Sequence, residues 1–155
     1  MLTVVADTGA LLSLELGGLF DICRSNFKIV IGMKIADELR MIASTDDELG
    51  MAAKNILGRI DVVDVGKIFD KGEDEALELL AELNADILIS DDIEFVKKHK
   101  TNEKISFSVI LPGILMEKNL ITKGEFITAI DGMFQKRGWT ENLIYLVAKN
   151  ILEGY

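Results

Sequence analysis

The hydrophobic positions of the chain fall into short, uninterrupted runs separated by longer segments with helical spacing. The runs are rich in Val and Ile and cover residues 2–6, 28–31, 60–65, 86–90 and 105–110. Strands that are apolar throughout are typical of parallel sheets covered on both faces. These runs therefore predict a mostly parallel sheet of five strands.

The segments between the runs repeat their apolar residues every three or four positions, as amphipathic helices do. They predict helices over residues 9–24, 33–43, 46–57, 73–84 and 92–99. Strands that alternate with helices favour an open sheet with helices on both of its faces. The predicted fold class is α/β, a three-layer α/β/α sandwich, with the whole chain, residues 1–155, as one domain.

After the last predicted strand the chain is helical to its end. Pro112 suits the first position of a helix, because its missing N–H needs no partner there. Thr122 is a candidate N-cap with Glu125 at the spacing of a capping box, and Thr140 is a second candidate N-cap. Gly138 is expected to end the helix that lies between them.

The composition is that of a globular protein, with 49% hydrophobic and 28% charged residues. No apolar run reaches the roughly 18 residues that a membrane span needs, and the beginning of the chain lacks the features of a secretory signal. Cys23 is the only cysteine, and we interpret it as a small buried hydrophobic residue. A single unpaired cysteine fits a reducing compartment, so the expected location is the cytoplasm.

The net charge is −9, with 26 acidic residues against 17 Lys and Arg. This balance argues against broad, charge-driven binding to nucleic acid, which depends on neutralising phosphates with Lys and Arg. It does not argue against a metal-dependent nuclease, because such a site needs carboxylates and its cations offset part of the negative field. The basic cluster at residues 95–100 is interpreted as a solvated helix face, with His99 at the surface.

Three acidic residues stand where predicted strands end. Asp7 follows the first strand, and Asp91 and Asp92 follow the fourth. In open α/β sheets ligands bind beyond the carboxyl ends of the strands, where the strand order reverses. If these two strands are neighbours, their spacing of about 5 Å brings the acids close together. Each acid is also a good helix N-cap, which is the interpretation we favour for any one of them alone.

Glu73 is a further candidate because of its helical phase, and Glu38 is of interest only together with the other acids. At about 100° per residue, Glu73 projects onto the apolar face of its helix, with Asp74 to one side and Glu75 toward solvent. Burying a lone charge costs several kcal/mol, which a nearby cation would offset. The alternative is a frayed first turn with Glu73 in water. Glu38 lies beside the apolar face of the helix that follows the second strand.

Taken in order, four segments resemble the PIN-domain ribonucleases, in particular their archaeal and bacterial VapC-like group. They are "ADTGALLSL" (6–14), "ADELR" (36–40), "GEDEALELLAEL" (72–83) and "LISDDIEF" (88–95). The helical end, residues 120–152, is similar as well. The resemblance implies an acidic pocket that binds Mg²⁺ or Mn²⁺ and hydrolyses single-stranded RNA with metal-activated water.

The resemblance also implies roles for individual residues. The catalytic acids are Asp7, Glu38, Glu73 and Asp92. The metal ligands come from the strand tips and the first turn of helix 73–84, namely Asp7, Asp91, Asp92, Glu73 and Asp74. The flanking hydroxyls of Thr8 and Ser90 match substrate-binding positions of the family. The basic side chains of Lys97 and Lys98 are expected, from their charge and not from the resemblance, to steer RNA. Which of Glu73, Asp74 and Glu75 binds metal stays open, and so does the choice between Asp91 and Asp92.

Other doubly wound folds with acidic strand ends fit less well. A receiver domain requires a lysine after the fifth strand, where this chain has "SVILPG". Haloacid-dehalogenase phosphatases require Asp-x-Asp after the first strand, where this chain has Asp-Thr-Gly. There is no P-loop and no G-x-G-x-x-G after a strand. The non-enzymatic alternative is a catalytically inactive PIN-like scaffold or interaction domain.

The resemblance and the charge together suggest partners. These are an RNA substrate, an antitoxin protein of more basic composition if the chain is the toxin of a toxin–antitoxin pair, and a second copy of the chain in a homodimer. The apolar positions of the last helix are either core, which we favour, or the homodimer face; they are Leu143, Leu146, Val147 and Ile151. No membrane partner is expected.

Overall fold

The computed structural model describes residues 1–154. The strands are β1 (Thr3–Ala6), β2 (Lys28–Gly32), β3 (Asp61–Val63), β4 (Ile87–Ile89) and β5 (Ile105–Ser106). All neighbouring pairs are parallel, and the order across the sheet is β3-β2-β1-β4-β5. The predicted α/β fold with a parallel five-stranded sheet is confirmed.

Helices cover the sheet on both faces and form the C-terminal end, as predicted. They are α1 (Thr8–Leu16), α2 (Phe20–Asn26), α3 (Met33–Ala43), α4 (Glu48–Leu57), α5 (Gly72–Glu82), α6 (Ile93–Lys98), α7 (Ile110–Glu117), α8 (Lys123–Arg137) and α9 (Leu143–Glu153). The continuous helix predicted over 9–24 is wrong, because Gly17 ends α1 and Gly18 adopts a left-handed φ of 74°. That conformation costs glycine little and stops a helix.

Successive residues of β1 face opposite sides of the sheet, which is why its run is apolar throughout. Val4 and Ala6 lie in the larger core cluster, together with residues of α1, α3 and α8. Val5 lies in a smaller cluster with Leu79 and Leu80 of α5. The sheet is therefore packed between two apolar layers, and the strand-end acids lie at the carboxyl ends of its strands.

The chain departs from the prediction around β5 and α7. The predicted strand 105–110 is only two residues long, because the N–H groups of Ile110 and Leu111 donate to the carbonyls of Phe107 and Ser108. These bonds turn the chain into α7. Pro112 consequently occupies the third position of α7 and not the first.

Two of the three predicted helix boundaries at the C-terminal end are confirmed. Thr122 and Glu125 form the capping box of α8, and Gly138 ends that helix with a φ of 65°. Thr140 is not an N-cap. Asn142 takes that role for α9, and its side chain accepts the Tyr145 N–H at 3.1 Å.

Cys23 is fully buried in the larger core cluster, as predicted, and burial raises the pKa of its thiol to about 12. The core interpretation of α9 is wrong for Leu146, which is 51% exposed. The residues of α9 that belong to the core or pack against it are Leu143, Ile144, Tyr145, Val147, Ala148, Ile151 and Leu152. Within residues 1–154, no helix has both the length and the apolar character to cross a membrane.

Candidate active site

The strand order reverses between β1 and β4, and the candidate site lies at their carboxyl ends. β1 pairs with β4 through Val5–Leu88 and Ala6–Ile89, and with β2 on its other side. The Asp7 N–H donates to the Ile89 carbonyl at 3.1 Å, which extends the pairing one residue beyond β1. The condition that the first and fourth strands are neighbours is met, so their terminal acids lie at the same carboxyl edge of the sheet.

A cleft of about 750 Å³ opens above this edge. Its acidic lining residues are Asp7, Glu38, Asp70, Glu73, Asp91, Asp92 and Glu94. Its basic lining residues are Lys71, Lys98 and Arg137. Seven acids against three basic residues give the lining a formal charge of −4, so a cation is favoured there and a bare phosphate is repelled.

Asp7 is both the N-cap of α1 and a wall of this cleft. Its Oδ1 accepts the Ala10 N–H at 2.8 Å, and its Oδ2 accepts a hydrogen bond from the Ser90 hydroxyl. Burial raises the pKa of Asp7 to about 7; the hydrogen bonds from Ser90 and Ala10 oppose this rise, and the neighbouring Asp91 and Asp92 add to it. A bound cation would favour the ionised form of this carboxyl.

Glu38 reaches the cleft from α3 and is joined to α1 by a hydroxyl. The Thr8 Oγ1 donates to the Glu38 Oε2 at 2.6 Å. Gly72, at the start of α5, lies close by: a Cβ at that position would be 2.4 Å from the Ile35 Cδ1 and 3.1 Å from the Glu38 Oε1. The lack of a side chain at Gly72 therefore allows the first turn of α5 to approach Glu38.

The two adjacent aspartates that follow β4 have different environments. Asp91 is buried, and its two carboxylate oxygens accept the Ser108 N–H at 2.9 Å and the Ser108 hydroxyl at 2.7 Å. Asp92 is exposed and caps α6 by accepting the Phe95 N–H at 3.1 Å. Both line the cleft, but Asp91 also ties the end of β4 to the turn before α7.

Replacing Ser108 with Ala is expected to destabilise the protein by about 1–3 kcal/mol, because the buried Asp91 carboxylate loses one of its two donors. Urea unfolding at pH 7 measures the change. Ser106→Ala, two residues earlier at a half-buried position of β5, is the control and should change stability little. Equal stability of the two variants would contradict the role given to Ser108.

The prediction that Glu75 faces solvent is wrong. Glu75 is 2% exposed, and its Oε1 accepts the Lys34 N–H at 2.8 Å and, more weakly, the Ile35 N–H at 3.4 Å. These are orphan donors of the first turn of α3, and the helix dipole also favours a negative charge there. Backbone N–H groups of α3 thus offset the cost of burying a carboxylate on the core-facing side of α5.

The burial of Glu75 also changes where its neighbours lie. The buried face of α5 runs through Gly72, Glu75, Ala76 and Leu79. Glu73 is therefore partly buried and lines the cleft, instead of lying at the centre of the buried face. Asp74 is exposed and lies outside the lining.

The predicted substrate-binding residues separate into two groups. Thr8 and Lys98 line the cleft, and Ser90 is buried beside it and donates to Asp7. Lys97 lies outside the lining, with its Nζ 3.7 Å from the Glu94 Oε1. His99 is not a free surface residue, since it is partly buried and its ring packs on Phe95 with centroids 4.6 Å apart.

Arg137, the last residue of α8, lines the cleft and was not predicted. Its guanidinium lies 4.7 Å from the centroid of the Trp139 ring. Burial lowers the pKa of Arg137, and the nearby charges of Asp91 and Asp7 act in the opposite direction. In the sequence, "KRGW" marks only the end of a helix, so no local signal pointed to the cleft.

The donor set suits a hard divalent cation, although no ready-made cage is present. Within residues 1–154, no group of three His, Cys, Asp or Glu side chains is arranged to hold a metal ion. Mg²⁺, however, is usually held by one or two carboxylates and keeps several waters. In the same part of the chain, no ion pair within 4.0 Å engages Asp7, Glu38, Asp91 or Asp92, so no basic side chain is in direct contact with these carboxylates.

Comparison of the sequence with models of known protein families finds no match, and comparison with curated proteins finds none. The sequence segments 6–14, 36–40, 72–83 and 88–95 each contribute residues to the lining of the cleft at the carboxyl ends of β1 and β4.

Proposed function

We propose that the protein is a divalent-metal-dependent endoribonuclease that hydrolyses phosphodiester bonds of single-stranded RNA in the acidic cleft. One observation carries the proposal. Five carboxylates from four separate segments line one cleft where the strand order reverses, and they are Asp7, Glu38, Glu73, Asp91 and Asp92. Carboxylate oxygens are the donors that Mg²⁺ and Mn²⁺ prefer.

The residues would hold the cation through oxygens that are already oriented. Asp7 is fixed by the Ser90 hydroxyl and the Ala10 N–H, and Glu38 is fixed by the Thr8 hydroxyl. Each carboxylate oxygen has two lone pairs, so one hydrogen bond leaves a lone pair for a metal. When bound, Mg²⁺ or Mn²⁺ supplies a nucleophilic water and stabilises charge on the attacking and leaving oxygens.

The charge of the cleft supports dependence on a cation. A lining charge of −4 opposes the entry of a phosphodiester, and bound divalent cations would offset this negative charge. Lys71 and Lys98 are both exposed residues of the lining and would contact the RNA backbone. Because the positive charge is confined to a few positions, few phosphates would be neutralised, and RNA affinity would depend only weakly on salt.

The partners expected from the resemblance remain predictions. They are an antitoxin protein, whose basic segment would complement the acidic cleft, and a second copy of the chain. A cytoplasmic location is likewise proposed from the unpaired, buried Cys23. A catalytically inactive PIN-like scaffold is the alternative that the following experiment distinguishes.

Incubation of a labelled single-stranded RNA with the protein and Mn²⁺ tests the proposal. Asp7→Asn is expected to lower the cleavage rate roughly 100-fold or more, because it removes a charge that would hold the cation. Asp37→Asn makes the same change on the outer face of α3, where Asp37 pairs with Arg40 at 2.6 Å, and should cleave like the wild type. Equal cleavage by wild type and Asp7→Asn would contradict the proposal, and cleavage by none would support the scaffold.

A further inference from the structure

Arg137 brings a positive charge to the inner part of the cleft. It is partly buried, whereas the other two basic lining residues, Lys71 and Lys98, are exposed. A Cβ at Gly9 would lie 3.8 Å from both the Arg137 Nη2 and the Asp7 Oδ1. The guanidinium and the central carboxylate therefore face the same point above the first turn of α1.

The end of α8 is built so that this side chain is held in place. Gly138 adopts a left-handed φ of 65° and reverses the chain, and the Trp139 N–H then donates to the Phe134 carbonyl at 2.9 Å. The Trp139 ring packs edge-on against Phe134, with centroids 5.2 Å apart. Stacking of the guanidinium on Trp139 restricts its rotamers before any ligand binds, which favours binding.

Despite this position, Arg137 forms no direct ion pair with a carboxylate of the described residues. In residues 1–154, no carboxylate lies within 4.0 Å of it, and every salt bridge involves other residues. The arginines that donate side-chain hydrogen bonds in this part of the chain are Arg40 and Arg59. A partly buried guanidinium with five N–H donors is thus left available to a ligand.

We propose that Arg137 binds the substrate phosphate through the non-bridging oxygens of the phosphodiester. The inference rests on the proposed function and names the group that holds the substrate in it. A planar guanidinium matches two phosphate oxygens with parallel N–H bonds, which a lysine ammonium does not do. Arg137 and Asp7 line the same cleft and form no ion pair within 4.0 Å, so a substrate phosphate that enters the cleft can contact the guanidinium.

Steady-state cleavage of single-stranded RNA at saturating Mn²⁺ measures the contribution of Arg137. Arg137→Ala is expected to lower kcat/KM about 30-fold, and Arg137→Lys is expected to restore only part of that loss, because lysine lacks the bidentate geometry. Added guanidinium chloride should partly rescue the Ala variant at low concentration. Lys136→Ala is the matched control, since Lys136 is exposed and lies 3.5 Å from Glu48, and it should stay within about twofold of wild type.

A second measurement distinguishes binding of the substrate phosphate by Arg137 from a role as counter-ion to the cleft carboxylates. It does not require cleavage, so it is independent of the proposed hydrolytic function. Binding of a fluorescent single-stranded RNA is measured at saturating Mn²⁺ in an Asp7→Asn background, with and without Arg137→Ala. We expect the Arg137 change to weaken RNA binding at least about tenfold. Unchanged RNA affinity with tighter Mn²⁺ binding would overturn the inference and make Arg137 a counter-ion.

The two proposals can fail separately. If the wild type binds RNA without cleaving it and Arg137→Ala still weakens binding, the hydrolytic function falls and the phosphate-binding role stands. If the wild type cleaves RNA and the Arg137 and Lys136 variants cleave equally well, the phosphate-binding role falls alone. If the wild type binds no RNA at saturating Mn²⁺, both are overturned.

Discussion

Asp7→Asn is expected to stabilise the folded protein by about 2–4 kcal/mol at pH 8, and to change its stability little near pH 4. Burial raises the pKa of Asp7 from 3.8 to about 7. Between these values the folded protein keeps a proton that the unfolded chain has released. The contribution of Asp7 to stability is therefore most favourable below the unfolded pKa and is lost as the pH rises through about 7. Asparagine stays neutral and keeps an acceptor for the Ala10 N–H.

Thermal and urea unfolding of both proteins from pH 4 to pH 8 measures this difference. Asp47→Asn is the matched control, because Asp47 caps α4 by accepting the Gly50 N–H at 2.8 Å but is exposed. Hydrogen bonds from Gly50 and Thr45 lower the pKa of Asp47, so its contribution is present at neutral pH and is lost in acid. The two substitutions should act with opposite sign at pH 8. Loss of stability in both would contradict the burial cost assigned to Asp7.

Glu75→Ala is expected to destabilise the protein by about 2–4 kcal/mol, since it leaves the Lys34 N–H buried without its partner and opens a cavity. The fit around this carboxylate is close. A Cβ at Gly32 would lie 2.0 Å from the Glu75 Oε1, so glycine at that position makes the space for it. Glu78→Ala is the matched control, because it makes the same substitution three positions later in α5. It removes a partly exposed side chain that pairs with Lys67 at 2.7 Å. It should change stability little.

The same substitution should reduce RNA cleavage. Glu75 holds the first turn of α3, and Glu38 projects into the cleft from the next turn of that helix. A shift of α3 would displace Glu38 and loosen its bond with Thr8. Urea unfolding and the cleavage assay, run on Glu75→Ala and Glu78→Ala together, measure both effects. Indistinguishable behaviour of these two variants would refute the positioning role of Glu75.

The sheet and its acidic edge were predictable because the sequence carries their physical cause. A strand buried on both faces must be apolar throughout, so β1 and β4 stood out, and the acids that follow them had to lie at strand ends. The sequence did not show that β1 and β4 are neighbours, and this one assumption about strand order was needed to bring their acids together. Glycines also marked helix ends, although the pair Gly17–Gly18 was missed as an interruption between α1 and α2.

The supporting contacts of the site were not predictable, because they depend on groups distant in sequence. Apolar periodicity assigned Glu75 to solvent, whereas the free N–H groups of α3, 41 positions away for Lys34, make its burial favourable. Ser108 fixes Asp91 across 17 positions, and Arg137 enters the cleft only through the placement of α8. Apolar periodicity indicates which face of a helix packs on the core. It does not indicate which distant donor or charge a polar side chain meets.

Binding of Mn²⁺ at pH 8 tests the central claim most directly, because every step of the proposed chemistry depends on a cation held by the acidic cleft. Electron paramagnetic resonance of free Mn²⁺, titrated with wild type, Asp7→Asn and Asp37→Asn, measures affinity without requiring an RNA substrate. We expect one or two Mn²⁺ per wild-type and Asp37→Asn chain, and at least about tenfold weaker binding by Asp7→Asn. Equal Mn²⁺ affinity in all three proteins, or no binding by the wild type, would contradict the account.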